Sequence, residues 1–268
     1  RLAEKGYDVL IIEKGKQFKD KDFPKTNWDF KKFYWAPLFK WFGIQKLTIF
    51  KDLFVISGTG VGGGSLGYAN THMYPSDLFF NNSIWANQVP PEFGDKGWKE
   101  VLEPFYKKAR FMLGTVENKI FNRDDEVLKG VAKDMGREDS FGGVNVGVYF
   151  GDKDKEVDPY FKGLGPMRKG CTECAGCMIG CVEGAKNTLD KNYLYFAQKF
   201  GASIIPECQA DKIEYSEGTY KIKTHSSTSW FKRDIQVFQA RNLIVSGGVL
   251  GTMDLLLRQK HKLKTLSG

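Results

Sequence analysis

Apolar positions along the chain change period several times, and each change marks an element. Leu2 and Ala3 read as the end of a helix capped by Gly6, and Tyr7 to Ile12 as a buried strand that closes on Glu13. A second short apolar strand, Leu53 to Ile56, runs into six glycines between Gly58 and Gly67. Trp98, Val101, Leu102, Phe105, Ala109, Met112 and Leu113 recur at helical spacing and stop at Gly114; Pro104 predicts a kink or a fresh start within that helix. Asp124 to Met135 reads as another helix, capped by Gly136. Residues 140–166 are glycine-rich and irregular apart from a strand at Val144 to Tyr149. Leu189 to Phe200 reads as a helix ended by Gly201, followed by β runs at Ser203 to Ile205, Ala210 to Tyr215, Tyr220 to Thr224 and Ile235 to Gln239. Asn242 to Ser246 is a further apolar strand, which meets Gly247 and Gly248 before a helix from Val249 to Arg258.

The order helix, glycine, strand, acid at the amino end is that of the second half of a dinucleotide-binding βαβ unit, in which the closing acid accepts ribose hydroxyls. Glu13 would be that acid; the plainer reading is an exposed carboxylate after a strand. The phosphate-binding glycine turn is expected roughly 20 residues ahead of such an acid. Only 12 residues precede Glu13 and the first is Arg1, so we expect that turn to lie outside this sequence and the chain to be a fragment. Glycines at the density of 58–67 let main-chain N–H groups approach a large ligand, although a flexible loop has the same look. The strand–glycine–helix unit at 242–258 is what a doubly wound sheet needs when the chain returns to it. The predicted class is therefore α/β, an incomplete Rossmann-type cofactor domain with an inserted α+β domain. Residues 1–16, 51–75 and 183–268 would form the discontinuous cofactor domain, 17–50 a lid-like segment, and 76–182 the insertion.

Composition narrows the picture modestly. The 268 residues, 41% hydrophobic, can bury a core as one large domain or two interleaved ones. No apolar run reaches the ~18 residues of a membrane span. The net charge of +8, from 40 basic and 32 acidic residues, is spread along the chain. No nucleic-acid motif accompanies it, and no nucleic-acid partner is expected. Residues 17–50 interleave lysines with Trp28, Phe30, Phe33, Tyr34, Trp35, Phe39, Trp41 and Phe42. That pattern reads as a core-packing excursion with solvated lysines, as a lid over an apolar substrate, or as a patch that rests on a membrane. The compartment stays open, with cytoplasmic or membrane-peripheral placement preferred to secretion.

Cys171, Cys174, Cys177 and Cys181 are spaced C-x2-C-x2-C-x3-C, a ferredoxin-type run for an iron–sulfur cluster. Val182 stands where proline usually follows, and no second motif provides for a second cluster. Zinc, free thiols and disulfides are the alternatives. Cys208 is isolated and reads as a small buried hydrophobe. His72 follows the glycine run and reads as structural or solvated, although it lies near any bound cofactor. His225 at a strand end and His261 in a basic tail have no recognisable partner, and no complete acid–base pair is visible.

Three blocks then occur in order: GTGVGGGSLGYANTHMYP from Gly58, CTECAGCMIGCVEGAKNTLDKNYLYFAQKFGA from Cys171, and NLIVSGGVLGTMDLLLR from Asn242. Together they resemble the glucose–methanol–choline (GMC) oxidoreductases, in their cholesterol-oxidase-like branch. The resemblance implies non-covalent FAD. Glu13 would hold the adenosine ribose, and Gly58, Gly62, Gly63, Ser65 and Asn70 would line the pyrophosphate and flavin. Gln209 and Ala210 would present backbone to the adenine, and Gly247 would approach the cofactor. Tyr68 to His72 departs from the better-known cholesterol oxidases, which loosens the register after Gly64. The implied reaction takes a hydride from the CH–OH carbon of a sterol-like or other bulky apolar alcohol to flavin N5, with oxygen or an external acceptor taking the electrons. The histidine that handles the hydroxyl proton is expected beyond Gly268, so no catalytic residue is assigned here and the chain alone should be inactive. A second reading from another class is an iron–sulfur or metal-binding electron-transfer protein with a degenerate flavin fold. A third is a peripheral membrane module built on the aromatic–lysine segment.

Overall fold

The structure is a computed structural model that describes residues 1–229 and 234–260; His261 lies outside them. In chain order the elements are β1 (Leu10–Ile12), α1 (Phe30–Phe33), β2 (Trp35–Ala36), β3 (Trp41–Phe42), β4 (Gln45–Ile49), β5 (Phe54–Gly58), α2 (Asp77–Phe80), α3 (Trp98–Met112), β6 (Val116–Glu117), α4 (Arg123–Asp134), β7 (Asn145–Val146), α5 (Tyr193–Lys199), β8 (Ser203–Ile205), β9 (Cys208–Ser216), β10 (Thr219–Ser226), β11 (Ile235–Ala240) and α6 (Gly248–Leu257). The fold is mixed helix and sheet. The chain divides into two compact units, Arg1–Leu66 with Ala197–Gly268, and Gly67–Phe196.

In the first unit, Gly6 ends a short 3-10 turn (Ala3–Lys5) at φ +82°, a left-handed conformation that glycine takes at no steric cost. β1 follows and pairs in parallel with β8, Leu10 opposite Ser203 and Ile12 opposite Ile205. Only three residues make this strand, and it is half-buried rather than buried as expected. With one partner strand its apolar side chains lack a covering layer, and Leu10 and Tyr7 stay exposed. β4 and β5 form an antiparallel pair that delivers the chain into the glycine run. β9, β10 and β11 form an antiparallel meander. Asn242 to Ser246 is not a strand. It pairs with no strand among the described residues, and an unpaired segment gains nothing over a loop. The helix after Gly247 forms as expected.

The aromatic segment divides between interior and surface. Phe23, Trp35 and Ile44 are buried. Trp28, Phe30, Trp41 and Phe39 form a chain of ring contacts instead, with centroids 5.3–6.0 Å apart. Trp28 is 76% exposed and Phe39 62%.

In the second unit, α3 runs unbroken through Pro104. α4 begins on a capping box, in which the Asn122 N–H donates to Asp125 Oδ2 at 2.7 Å. The expected strand 144–149 shrinks to β7, paired with β6, plus a bridge from Val148 to Lys186. The expected helix from Leu189 is broken at Asn192 into a 3-10 turn and α5. Side chains, rather than ladders, organise the irregular stretch. Both oxygens of the Asp158 carboxylate accept main-chain N–H groups, from Tyr160 and Phe161 on one and from Gly163 and Gly165 on the other. Arg168, 3% exposed, donates to the carbonyls of Gly184 and Lys186 and to Asn187 Oδ1, all within 2.7 Å. Among the described residues no helix is long and apolar enough to cross a membrane.

Arg168 ties segments 16 to 19 residues apart through three charge-assisted bonds. Replacing it by methionine (Arg168→Met) strands three buried acceptors and should destabilise the second unit by about 3 kcal/mol. Urea unfolding followed by tryptophan fluorescence reads that change directly, and a loss under about 1 kcal/mol would show that the bonds are worth no more than surface ones.

Candidate functional site

The site of the first unit is built where β1 and β5 end. The Glu13 carboxylate turns back on its own main chain: Oε1 accepts the N–H of Gly15 at 2.7 Å and that of Gly60 at 3.1 Å. No donor among the described residues reaches Oε2. The two crossing segments are locked further by the Val61 N–H, which donates to the Lys16 carbonyl at 3.0 Å. Glycine is required at this crossing. A Cβ on Gly15 would lie 2.3 Å from the Gly60 nitrogen, and one on Gly58 would lie 2.4 Å from the Gly63 oxygen. Beyond the crossing the loop opens. Cβ atoms built at Gly63 and Gly64 meet nothing within 4 Å, and Gly62 and Gly63 hold φ of +111° and +55°. The Ser65 hydroxyl donates to the Gly62 carbonyl at 2.7 Å, which fixes that turn.

β9 starts against the same acid, with the Cys208 N–H on the Glu13 carbonyl at 2.9 Å. Gln209 and Ala210 follow, paired with His225 and Thr224. The register steps here, so that Asp211 is the extra residue of a β-bulge. Its carboxylate meets His225 Nδ1 at 2.5 Å, a partner the sequence did not disclose. Gly247 caps α6 in the same unit; a Cβ there would have its nearest neighbour at 3.5 Å, so no protein atom demands the glycine. Lys14 was not singled out by sequence. Burial and the neighbouring Lys46 hold its ammonium below the usual lysine range, against the pull of Glu13 and Asp254. Thr59 is 1% exposed, and its hydroxyl has no partner among the described residues.

These features fit the dinucleotide that the resemblance implies. An acid oxygen is open, a bare main-chain loop faces empty space, an interior hydroxyl is unsatisfied, and two lysines repel each other beside them.

Asn70 belongs to the second unit. It is 2% exposed, with φ +63°, and its Oδ1 is a buried acceptor without a donor. Its side chain also hydrogen-bonds the Cys177 thiol. Close by, Lys186 is 1% exposed and donates to the carbonyls of Tyr68 at 2.8 Å and Cys177 at 2.7 Å, with its Nζ 4.7 Å from the centre of the Tyr68 ring. Burial pulls this ammonium down to about 8, opposed by Cys177, Cys181 and Asp190. Burial also pushes the Tyr68 hydroxyl up to about 12, with Cys177 adding to the effect.

All four cysteines of the run line one small pocket with Lys186, Glu183 and Val148. They do not converge on a centre. Among the described residues no three Cys, His, Asp or Glu side chains are grouped as a metal ion needs. Cys174 is exposed while Cys171, Cys177 and Cys181 are half-buried, and the Glu173 N–H donates to Cys171 Sγ at 3.3 Å. The ferredoxin-like spacing therefore does not become a ferredoxin-like donor set, and the iron–sulfur expectation finds no support. Within the run Glu173 and Ala175 hold left-handed φ of +61° and +55°. Cys208 is buried, as expected.

His72 is structural, as its sequence context suggested. Nε2 pairs with the Tyr68 hydroxyl and Nδ1 with Thr115 Oγ1, both at 2.8 Å.

Residues 166–259 match the family model described as GMC oxidoreductase. A cholesterol oxidase of Mycobacterium tuberculosis is 41% identical over 98% of this chain and 45% of its own length. The chain is similar to the GMC oxidoreductases along nearly its whole length. A cholesterol oxidase of Acinetobacter baumannii is 39% identical over 97% of this chain and 48% of its own length. A long-chain-alcohol oxidase, FAO4A, of Arabidopsis thaliana is 24% identical over 97% of this chain and 32% of its own length. The chain thus spans about half the length, or less, of these GMC relatives.

Burial and the Arg110 charge hold His72 below its ordinary value of 6.5. The unfolded chain therefore takes up the proton first, and the contribution of neutral His72 to stability is complete above that value and lost as pH falls through and below it. Unfolding midpoints between about pH 8 and pH 5 should fall more steeply for the parent than for His72→Gln. Parallel curves would show that His72 keeps an ordinary affinity for its proton.

Proposed function

We propose that this chain is the cofactor-binding portion of an FAD-dependent oxidoreductase that oxidises the CH–OH group of a sterol-like or other bulky apolar alcohol. One observation carries the reading: Glu13 and the glycine run meet at a single place, with Gly60 N–H 3.1 Å from Oε1. A ribose-holding acid and a phosphate-holding main chain must lie side by side for one dinucleotide to reach both. In this reading the first unit is an incomplete Rossmann-type domain, and FAD, when bound, supplies the hydride-accepting centre.

The chain's own residues hold and orient. Glu13 Oε2 takes ribose hydroxyls while Oε1 keeps the two segments crossed. Gly58, Gly62, Gly63 and Ser65 give the diphosphate main-chain N–H groups. Lys14 and Lys46 gain most from its charge, since an anion between them replaces repulsion by attraction. Gln209 and Ala210 bound the adenine with main chain, and Gly247 leaves room for the cofactor. Oxygen is favoured as electron acceptor because the named relatives are oxidases, and the thiol run offers no relay for an external one. An apolar substrate suits the exposed rings of Trp28 and Phe39 among Lys25, Lys31, Lys32 and Lys40, which can serve as a lid or a membrane-facing patch.

The protein carrying this chain, purified and loaded with FAD, should show a flavin absorption band and release peroxide when given a sterol. Glu13→Ala should weaken FAD binding by about tenfold to a hundredfold in fluorescence titration, the worth of charge-assisted bonds to the ribose. A parent protein without a flavin band, or an unchanged affinity in the variant, rules out the assignment.

A further inference from the structure

The antiparallel meander of the first unit has two edges, and the chain treats them differently. On the β9 edge the Cys208 N–H donates to the Glu13 carbonyl, and the Ile213 N–H donates to Gln259 Oε1 at 2.7 Å. Gln259 is only 4% exposed, so a buried side chain closes that edge. The opposite edge is β11, which pairs with β10 alone, in unbroken register from Ile235 opposite His225 to Ala240 opposite Tyr220. Alternate residues of such an edge strand turn their N–H and C=O groups outward. Among the described residues, no hydrogen bond from a segment other than β10 meets those of β11. Lysine, proline or a bulge usually guards an edge. The strand reads IQVFQA and has none of them. Ile235 and Val237 are each 56% exposed. Charges stand only at its two ends, Asp234 before the first residue and Arg241 after the last. Both are exposed, and neither is in an ion pair among the described residues.

We propose that β11 is a dimerisation edge, which pairs antiparallel with β11 of a second copy across a two-fold axis and continues the meander as one sheet. The charge pattern selects this occupant. Antiparallel pairing lays Asp234 of each copy beside Arg241 of the other, so both ends close on opposite charges, whereas parallel pairing would set like charge against like. Facing residues of an antiparallel ladder lie on the same face of the sheet, so the axis passes through a residue, Val237 or Phe238, and not between them. About Val237, Ile235 faces Gln239 and Gln236 faces Phe238. About Phe238, Val237 faces Gln239 and Gln236 faces Ala240. Neither register opposes two charges within the strand, and both leave Asp234 next to the position facing Arg241. Lys221 and Lys223 stand on β10, opposite Gln239 and Val237. Their counterparts in the second copy lie three strand spacings away, about 14 Å, beyond the ~8 Å over which charges act at physiological salt. The lysines therefore oppose the contact little. The second copy covers Ile235 and Val237 and gives the outward main-chain groups their partners. A ladder of six residues is a small interface, so roughly micromolar association is expected rather than a permanent dimer.

Sedimentation equilibrium of the protein carrying this chain, across a concentration series, tests this and needs no substrate. A reversible monomer–dimer equilibrium is expected, and hydrogen exchange at the β11 amides should slow as concentration rises. Asp234→Arg should weaken dimerisation by roughly tenfold, because each end exchanges an attraction for a repulsion, and Arg241→Asp should do the same. The double variant Asp234→Arg/Arg241→Asp pairs the exchanged charges again and should return to within about threefold of the parent. Both side chains are exposed, and circular dichroism checks that each variant is folded. A protein that stays monomeric throughout the series overturns the proposal, as does a dimer that neither single reversal weakens. Slowly exchanging β11 amides in a monomer would show that another segment of the same molecule covers the edge, which overturns it equally. Flavin absorbance of the same samples keeps the two readings apart: a monomer with a flavin band removes this interface and leaves the oxidoreductase reading intact.

Discussion

One carboxylate oxygen holds the first unit's site together. Glu13 Oε1 accepts N–H groups from two segments 45 residues apart in the chain, Gly15 at 2.7 Å and Gly60 at 3.1 Å. Charge-assisted bonds to main chain are short and strong, and they cannot be replaced by a neutral side chain of the same shape. The crossing they fix tolerates no Cβ at Gly15 or Gly58. Local glycine choice and long-range pairing therefore support each other. The consequence is a loop whose near side is packed and whose far side, at Gly63 and Gly64, is open.

The second unit is held together differently. Its sheet content is two residues against two, so polar side chains, buried at Arg168 and Lys186 and half-buried at Asp158, do the organising. Arg168 binds two carbonyls and an amide, Asp158 gathers four N–H groups, and Lys186 joins the carbonyls of Tyr68 and Cys177. Such groups are costly to bury unless every bond is made. Asn70 sits in this network with one acceptor unsatisfied and one bond to the half-buried Cys177 thiol.

Similarity to the GMC oxidoreductases sets these observations beside relatives of known activity. Named relatives oxidise sterols or long-chain alcohols, and both are apolar molecules with one polar end. A partly exposed aromatic segment, an open glycine loop and an acid with a free oxygen are compatible demands of one enzyme class. The thiol pocket is an additional feature, and its side chains are not grouped as a metal ion needs.

Several features were legible in the sequence because they depend on near neighbours. Periodicity gave α3, α4 and α6, and Gly6, Gly136 and Gly201 as left-handed helix ends. The strand, glycine and acid order singled out Glu13 and the loop that follows β5. What required tertiary structure were properties set by distant partners. Asn242 to Ser246 is apolar enough for a strand but pairs with none among the described residues. His225 finds Asp211 only because a bulge shifts the β9–β10 register. Lys14 and Lys186 carry no local signal, since burial is decided by what folds over them. The cysteine spacing is the clearest case. The residue count between the thiols is local, whereas the folded backbone decides whether their sulfurs group as a metal ion needs, and among the described residues they do not.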